Sequence, residues 1–411
     1  MLARLCNLDR LVHAMAARGL DGVVATTAQN VFYLAGFNAI AHKSDEPRPY
    51  AVVLSRHAPE QPVMVLADYY LATFRAAGSW IEDVRPFRAV MMPLDLPPRR
   101  SDIERFIPAG AAGFDGARKN YAFDMPQAMR GALRDLKLDR GRVAFDDPGF
   151  GMRLALEGIE LVDGYDAMMH ARAIKTGAEL RLLERATQLN QKAIERAAGL
   201  WRRGTTWREL AGAYAGAAVA LGGFVRDPGA MVWSHPQGAE ATITLQTGAE
   251  DGEIAPGTHV MFDCHGTMDC YCWDGGKTWV AGGEPEGAGK RNAGATARAA
   301  EALLAAMKPG ARVSELQALT REVYRKAGLP NATDAVIFFH GLGLSHMDIE
   351  QRAADGRPNL DWKLEQGMVV PLHLLVPGGE RERYWLEEVA VVTPQGGRPL
   401  FSWGLGPITA G

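Results

Sequence analysis

The chain has 411 residues, 47% of them hydrophobic, which supports two or three packed domains and excludes a peptide-sized module. Its 45 Lys and Arg residues against 48 Asp and Glu give a net charge of −3, so neither a nucleic-acid nor an anionic-membrane footprint is expected, and small molecules or other proteins are the expected partners. Four cysteines, three of them crowded between Cys264 and Cys272, make a poor disulfide framework and point to a cytoplasmic setting.

Arg4, Asp9 and Arg10 interrupt the opening segment where a signal peptide needs an apolar run. Leu5, Leu8, Leu11, Val12 and Met15 then recur at helical spacing before the strand-like runs DGVVAT, NVFYLAGF, YAVVLS, PVMVLA and RVAFDD. This alternation predicts an α/β domain, with the Pro-rich MMPLDLPPRR as a surface loop. At Thr176 the texture changes, because Glu179 three residues on completes a capping box ahead of Leu180, Leu183, Ala186, Leu189 and Ile194. The boundary is placed there: an α/β domain over 1–170 and an α+β domain over 171–411. A second capping box at Thr206 and Glu209 opens another helix, and further helices are expected before Pro309 and before Gly328. Between and after them lie four β-patterned runs, THVMFDCH, CYCWDGGKTWV, MVVPLHLLV and WLEEVAVVT. No repeat, coiled-coil period or apolar run of the roughly 20 residues a spanning helix needs competes with this reading.

These second-half runs carry the chemistry. Side chains alternate along a strand, so Asp263 and His265 share one face of THVMFDCH, and after a turn of about four residues Asp274 returns on the next arm. A carboxylate from each arm can converge on a cation, although turn roles for both aspartates are the alternative. In FFHGLGLSHMDIE, His340 is followed by glycines that let backbone approach closely, with His346 and Asp348 soon after as further ligand, base or substrate-contact candidates. His373 sits mid-strand, Glu387 and Glu388 open the next strand, and the PGGERER loop between them is expected to be a solvated hairpin tip. Templates for a phosphate loop, a dinucleotide fingerprint, an HExxH pair or a nucleophile elbow fail. What remains is Asp, His and Glu on separate strands, the pattern of a carboxylate-rich metal site.

The order Asp263, Tyr271, Asp274, Thr278, HGLGL at His340, the GMV strand and WLEEVAVVT resembles the pita-bread metallopeptidases, the family of methionine aminopeptidase, Xaa-Pro aminopeptidase, prolidase and creatinase. ARAIKTGAELRLLERA is similar to the helix opening their catalytic domain, and residues 1–170 resemble the creatinase-type N-terminal domain. In that family two Asp, one His and two Glu bind a pair of divalent metals. The resemblance thus implies that Asp263, Asp274, His340 and Glu387 are ligands, for one or two ions of Mn, Fe, Co or Zn. His373 stands where the family has its other Glu, which favours a softer ion, and His265 is an added candidate ligand. Lys277 replaces an Arg, and the peptidase histidine upstream of the first Asp has no counterpart in ITLQTG, leaving His235 in WSHPQG as the candidate substrate contact. RPYAVVL at Arg48 resembles the strand by which a creatinase N-terminal domain holds the carboxylate of a substrate in the neighbouring subunit, a contact suited to Arg; a surface Arg set between prolines is the alternative.

The implied function is a homodimeric, cytoplasmic metallohydrolase of the Xaa-Pro peptidase type. It would cleave a C–N bond in a small-molecule or dipeptide substrate bearing a carboxylate, by a metal-activated water, with His346, His235 and Glu387 or Glu388 as candidates for proton transfer and substrate contact. A metal-dependent lyase on a zwitterionic substrate, a creatinase-like amidinohydrolase and a non-catalytic binding protein are the alternatives.

Overall fold

In the first half of the chain short apolar runs, buried on both faces, read as the inner strands of a sheet between helices. The computed structural model describes residues 4–38, 48–89, 95–234, 246–247, 251–330 and 332–408. It contains strands β1 (Gly22–Ala25), β2 (Tyr50–Ser55), β3 (Val63–Ala67), β4 (Asp83–Phe87), β5 (Arg142–Phe145) and β6 (Glu160–Asp163). Among the described residues these form a mixed six-stranded sheet ordered β4-β3-β2-β1-β5-β6, with β2 antiparallel to both neighbours and the other pairs parallel. Helices α1 (Leu8–Ala17), α2 (Ala28–Ala35), α3 (Leu71–Ala77), α4 (Asp115–Lys119), α5 (Met125–Asp135), α6 (Pro148–Arg153) and α7 (Tyr165–Ala173) are interspersed with the strands, β2 following into β3 and α4 into α5 without the other type of element between. Side-chain caps fix several helix starts: Asn7, Thr27, Asp124 and Asp147 each accept a backbone N–H of the first turn.

The chain divides into two compact units, Met1–Arg172 with Glu350–Asn359, and Ala173–Ile349 with Leu360–Gly411. The segment Glu350–Asn359, which sequence order alone assigns to the second domain, therefore belongs with the first. Its Glu350 carboxylate accepts from Arg18 at 2.8 Å and lies 3.0 Å from His170 Nδ1, two partners no local sequence signal connects.

The second unit holds strands β7 (Phe224–Ser234), β8 (Gln246–Thr247), β9 (His259–Met268), β10 (Tyr271–Trp273), β11 (Gly276–Val280), β12 (Val336–Phe339), β13 (Val369–Val376), β14 (Tyr384–Thr393) and β15 (Gly396–Pro399). Among the described residues they build an antiparallel nine-stranded sheet ordered β12-β13-β14-β11-β9-β7-β8, with β10 paired to β9 and β15 to β14. Helices α8 (Gly177–Leu200), α9 (Trp207–Ala220), α10 (Gly287–Ala306) and α11 (Val313–Lys326) bury one side of it. The expected capping boxes at Thr176 and Thr206 are both formed.

Strand alternation decides which side chains meet those helices. Val260, Phe262 and Cys264 of β9 pack with α8 and α9, and Ile337, Phe339, Leu372, Leu374, Leu386 and Ala390 of β12, β13 and β14 pack with α10 and α11. The intervening residues, Asp263 and His265, Phe338, His373, and Trp385 with Glu387, therefore share the opposite face. The loop expected between β9 and its return is shorter than sequence suggested. Tyr271 pairs with Met268, leaving Asp269 and Cys270, both at positive φ (48° and 68°), as a two-residue turn of the kind that matches strand twist.

Candidate metal centre

Asp274, His340, His373 and Glu387 are delivered by separate elements of the second unit. Asp274 sits between β10 and β11 and is followed by Gly275 (φ +88°) and Gly276 (φ +151°), where a Cβ would lie 3.0 Å from Glu387 O and 2.6 Å from Phe262 O respectively. Only glycines let the chain pass this close to β9 and β14 while turning the carboxylate inward. Gly276 pairs with Glu387 across β11 and β14, and His373 pairs with Glu387 across β13 and β14. Phe338 pairs with His373 across β12 and β13, and their rings stack with centroids 3.7 Å apart.

His340 follows β12 directly. The tautomer that donates from Nδ1 to Gly341 O, 3.0 Å away, turns the Nε2 lone pair towards Asp274 Oδ2 at 3.3 Å. The glycines after it lie against Asp348: a Cβ on Gly341 would meet Asp348 O at 2.3 Å, and one on Gly343 would meet Asp348 Oδ2 at 2.1 Å. Asp348 N–H donates to Gly341 O at 2.8 Å, and its carboxylate lies 3.6 Å from the fully buried Lys175 Nζ. Asp348 thus braces the loop that carries His340 and His346. Sequence reading missed Lys175, which no motif marks. It also missed Phe338, although its position two residues before His340 on an alternating strand was a usable signal.

Asp274, His340, His373 and Glu387 are all buried and can each place one ligand atom within 4.8 Å of the others. Ligand atoms opposite one another across an ion at about 2.1 Å lie about 4.2 Å apart, so the cluster has the right dimensions. His373 Nε2 is 2.9 Å from Glu387 Oε1, yet Asp274 Oδ2, His340 Nε2 and both Glu387 oxygens are buried without a hydrogen bond of proper geometry. Orphaned buried acceptors cost about 1–3 kcal/mol each, and a cation is what two carboxylates and two imidazoles in this arrangement suit. The residues present therefore fit a divalent metal.

Electrostatics agree. Burial pushes the Glu387 carboxyl well above its ordinary pKa, and the neighbouring Asp274 and Asp263 charges add to this. Burial would do the same to Asp274, but His265 and His340 beside it hold it well below the carboxylate range. Burial, and then the nearby His340, keep His373 far below the usual imidazole value, so it is neutral and able to coordinate. His265 is burdened by burial, but Asp263 at 3.1 Å and Asp274 at 2.8 Å from its Nε2 push it up to about 10. His346, with its side chain 41% exposed, has Nδ1 3.3 Å from Asp274 Oδ2.

Glu388 is not brought to the cluster. It sits on the helix-packed face of β14 with Leu386 and Ala390, and its Oε1 accepts the N–H groups of Val389 and Phe401. The ERER run is likewise not a fully solvated tip: Arg383 is fully buried and donates from Nη2 to His259 O at 3.2 Å. His235 lies outside the described residues. In the first unit, Arg48 pairs with Asp147 at 2.8 Å and donates to Thr26 Oγ1 at 3.1 Å, with its side chain about one-third exposed.

An α/β unit joined to a helix-backed antiparallel sheet, with carboxylate and imidazole ligands gathered on the open face, defines a metallohydrolase of the pita-bread type. The chain belongs to metallopeptidase family M24, whose profile matches residues 181–394, and the Creatinase/Prolidase N-terminal domain matches residues 7–174. Among curated proteins none matches this chain by sequence. Solved structures with the same fold include an X-Pro aminopeptidase from Thermotoga maritima, with TM-score 0.68 and 17% identity over 98% of this chain and 99% of that one. A prolidase from Pyrococcus furiosus has TM-score 0.66 and 17% identity over 95% and 98%. A dipeptidase from Mycobacterium ulcerans has TM-score 0.66 and 21% identity over 98% and 96%.

Proposed function

We propose that this protein is a metal-dependent hydrolase that cleaves the C–N bond of a small, carboxylate-bearing substrate such as an Xaa-Pro dipeptide. The observation that carries the reading is the convergence of Asp274, His340, His373 and Glu387, with orphaned ligand atoms, in a chain of family M24. Asp263, on the same strand face and close to Glu387, completes the set. A divalent ion held there, of which Mn, Fe, Co and Zn are the candidates, would supply a water of lowered pKa and polarise the substrate carbonyl. Glu387 accepts the proton of the attacking water and passes it to the departing nitrogen. Phe338, 41% exposed and stacked on His373, and the half-exposed Met347 give the mouth an apolar rim for the substrate side chain.

A homodimer in the cytoplasm, with Arg48 reaching a substrate carboxylate in the neighbouring subunit, belongs to the same proposal. Replacing Arg48 with Ala should then raise KM for dipeptides while leaving kcat for a substrate without a carboxylate unchanged. The central test is Asp274→Ala, assayed on a panel of Xaa-Pro dipeptides and small amides after metal reconstitution. Loss of more than about a thousandfold in kcat/KM is expected, equivalent to removing about 4 kcal/mol of transition-state stabilisation. An undiminished rate in a folded variant sinks the proposal. Incorporation of labelled solvent oxygen into the product separates hydrolysis from elimination.

A further inference from the structure

Arg85 in the first unit shows what a buried guanidinium needs: 7% exposed, it holds the carboxylates of Asp83 and Asp135, each at 2.7 Å. Arg383, just before β14 in the second unit, is fully buried and has no such pair. Its Nη2 donates to His259 O at 3.2 Å, but Nε and Nη1 are buried without an acceptor. The carboxylate whose charge acts on it is Glu380, which accepts from Thr258 Oγ1 instead. Burial brings Arg383 down to about 10 against that pull, so it is charged at neutral pH. The surrounding carbonyls are engaged as well. Glu380 O accepts from His259 N–H at 3.0 Å, Glu382 O from Asn292 Nδ2 at 2.7 Å and Arg383 O from His259 Nδ1 at 2.8 Å. Gly289, in the first turn of α10, closes off Arg381 O, since a Cβ there would lie 2.4 Å from that oxygen. Trp385, two residues on and on the same side of the strand, adds a third buried donor without an acceptor, its indole Nε1. A cation with spare donors, enclosed by protein, is costly unless a negative partner sits beside it.

We propose that Arg383 anchors a buried site for one small monovalent anion such as chloride, which accepts from the guanidinium Nε and Nη1, with Trp385 Nε1 as a further donor. Three observations set the class of ligand. A single guanidinium carries a single charge, so a monovalent ion balances it. The unpartnered atoms of Arg383 and Trp385 are donors only, so the ligand is an acceptor. Thr258, His259, Arg383, Tyr384 and Trp385 are each 4% exposed or less, so the ligand is small enough to enter when the start of β14 opens locally. The site is separate from the metal cluster, because Arg383 precedes Glu387 by four residues, roughly 14 Å along an extended strand. The inference therefore does not depend on the metal-dependent reading. An ion at Arg383 ties the first residues of β14, the strand that carries Glu387, to the start of β9.

The test uses the full-length protein in two measurements. In thermal melts at constant ionic strength, with chloride replacing gluconate, the melting temperature should rise with the logarithm of chloride concentration. Arg383→Met, which keeps an unbranched side chain but removes the charge and the donors, should abolish that rise. Wild-type crystals soaked in bromide should show an anomalous peak in contact with the Arg383 guanidinium, a readout that stands even where the variant does not fold. A wild type that melts at the same temperature in chloride and in gluconate overturns the site, and so does a bromide-soaked crystal with no peak at Arg383; ordered water is then the acceptor. A folded Arg383→Met that keeps the wild-type chloride dependence overturns it as well.

Discussion

Glu387 and Glu388 are neighbours with opposite surroundings. Glu387 is held among Asp274, Asp263 and His373, while Glu388 is wrapped by backbone N–H groups on the helix side, burial pushing its carboxyl up to about 8 against the pull of those groups. In metal-free protein Glu387→Gln should therefore raise stability even as it abolishes metal loading. Because the folded pKa of Glu387 lies above its unfolded value, the wild type loses stability as pH rises above about 4.3, and the gain in the variant should grow in the same direction. Thermal melts in chelator across pH 4–8 check this; a variant less stable than wild type at pH 8 contradicts it. His373→Glu should shift metal preference towards manganese, read by competition between manganese and zinc. The residues alone did not say which of the two glutamates enters the site, since a dipeptide of like residues carries no phase; only the family resemblance singled out Glu387 as the ligand. The burial of Arg383 was hidden for a similar reason: charge clustering predicts solvent, and only the partners His259 and the loop backbone show otherwise.

Among the elements, the strands were legible because their apolar residues alternate or run unbroken, and Asp263, Asp274, His340, His373 and Glu387 stood out as charged or imidazole groups within them. The loop after β12 was only half legible, since its glycines were visible but the residue they accommodate, Asp348, was not tied to Lys175 by any spacing rule. Gly343→Ala would drive a Cβ to 2.1 Å from Asp348 Oδ2 and should cost about 1–3 kcal/mol, with metal affinity weakened through His340. Equal metal affinity in that variant would show that the loop does not position the ligand. Helix α8 supplies a second case. Its capping-box residue Glu179 also accepts from Tyr271 OH at 3.0 Å, and burial raises its pKa from about 4.5 to about 7 despite nearby Lys175 and these hydrogen bonds. Its contribution to stability is thus complete below pH 4.5 and is lost as pH rises through 7, a loss on the order of 3 kcal/mol. Glu179→Gln keeps a cap acceptor and should flatten that stretch of the denaturation profile measured by urea titration at several pH values.

For the whole molecule, the proposed metal ligands come from β9, the β10–β11 junction, the loop after β12, β13 and β14, all in the second unit. An ion that binds only the folded arrangement stabilises it by about 2.7 kcal/mol at a hundredfold excess over Kd. Hydrogen exchange with and without zinc should therefore show added protection for the amides of β9, β11, β13 and β14 and none for β1, β2 and β5. Equal protection in both units would contradict a site confined to the second. The two-unit plan was readable from the shift in texture near Thr176, but the return of Glu350–Asn359 to the first unit was not, because its contacts with Arg18 and His170 span most of the chain.

Alternation on β14 has one more consequence. A slip of a single residue between β13 and β14 would present Glu388 and Leu386 to the ligand face and send Glu387 into the apolar helix layer. Such a misregistered sheet keeps its backbone pairing yet cannot capture the ion. On the proposed metal-dependent reading, metal uptake during folding would act as proofreading, rewarding only the correctly paired sheet and leaving the slipped form to unpair and try again.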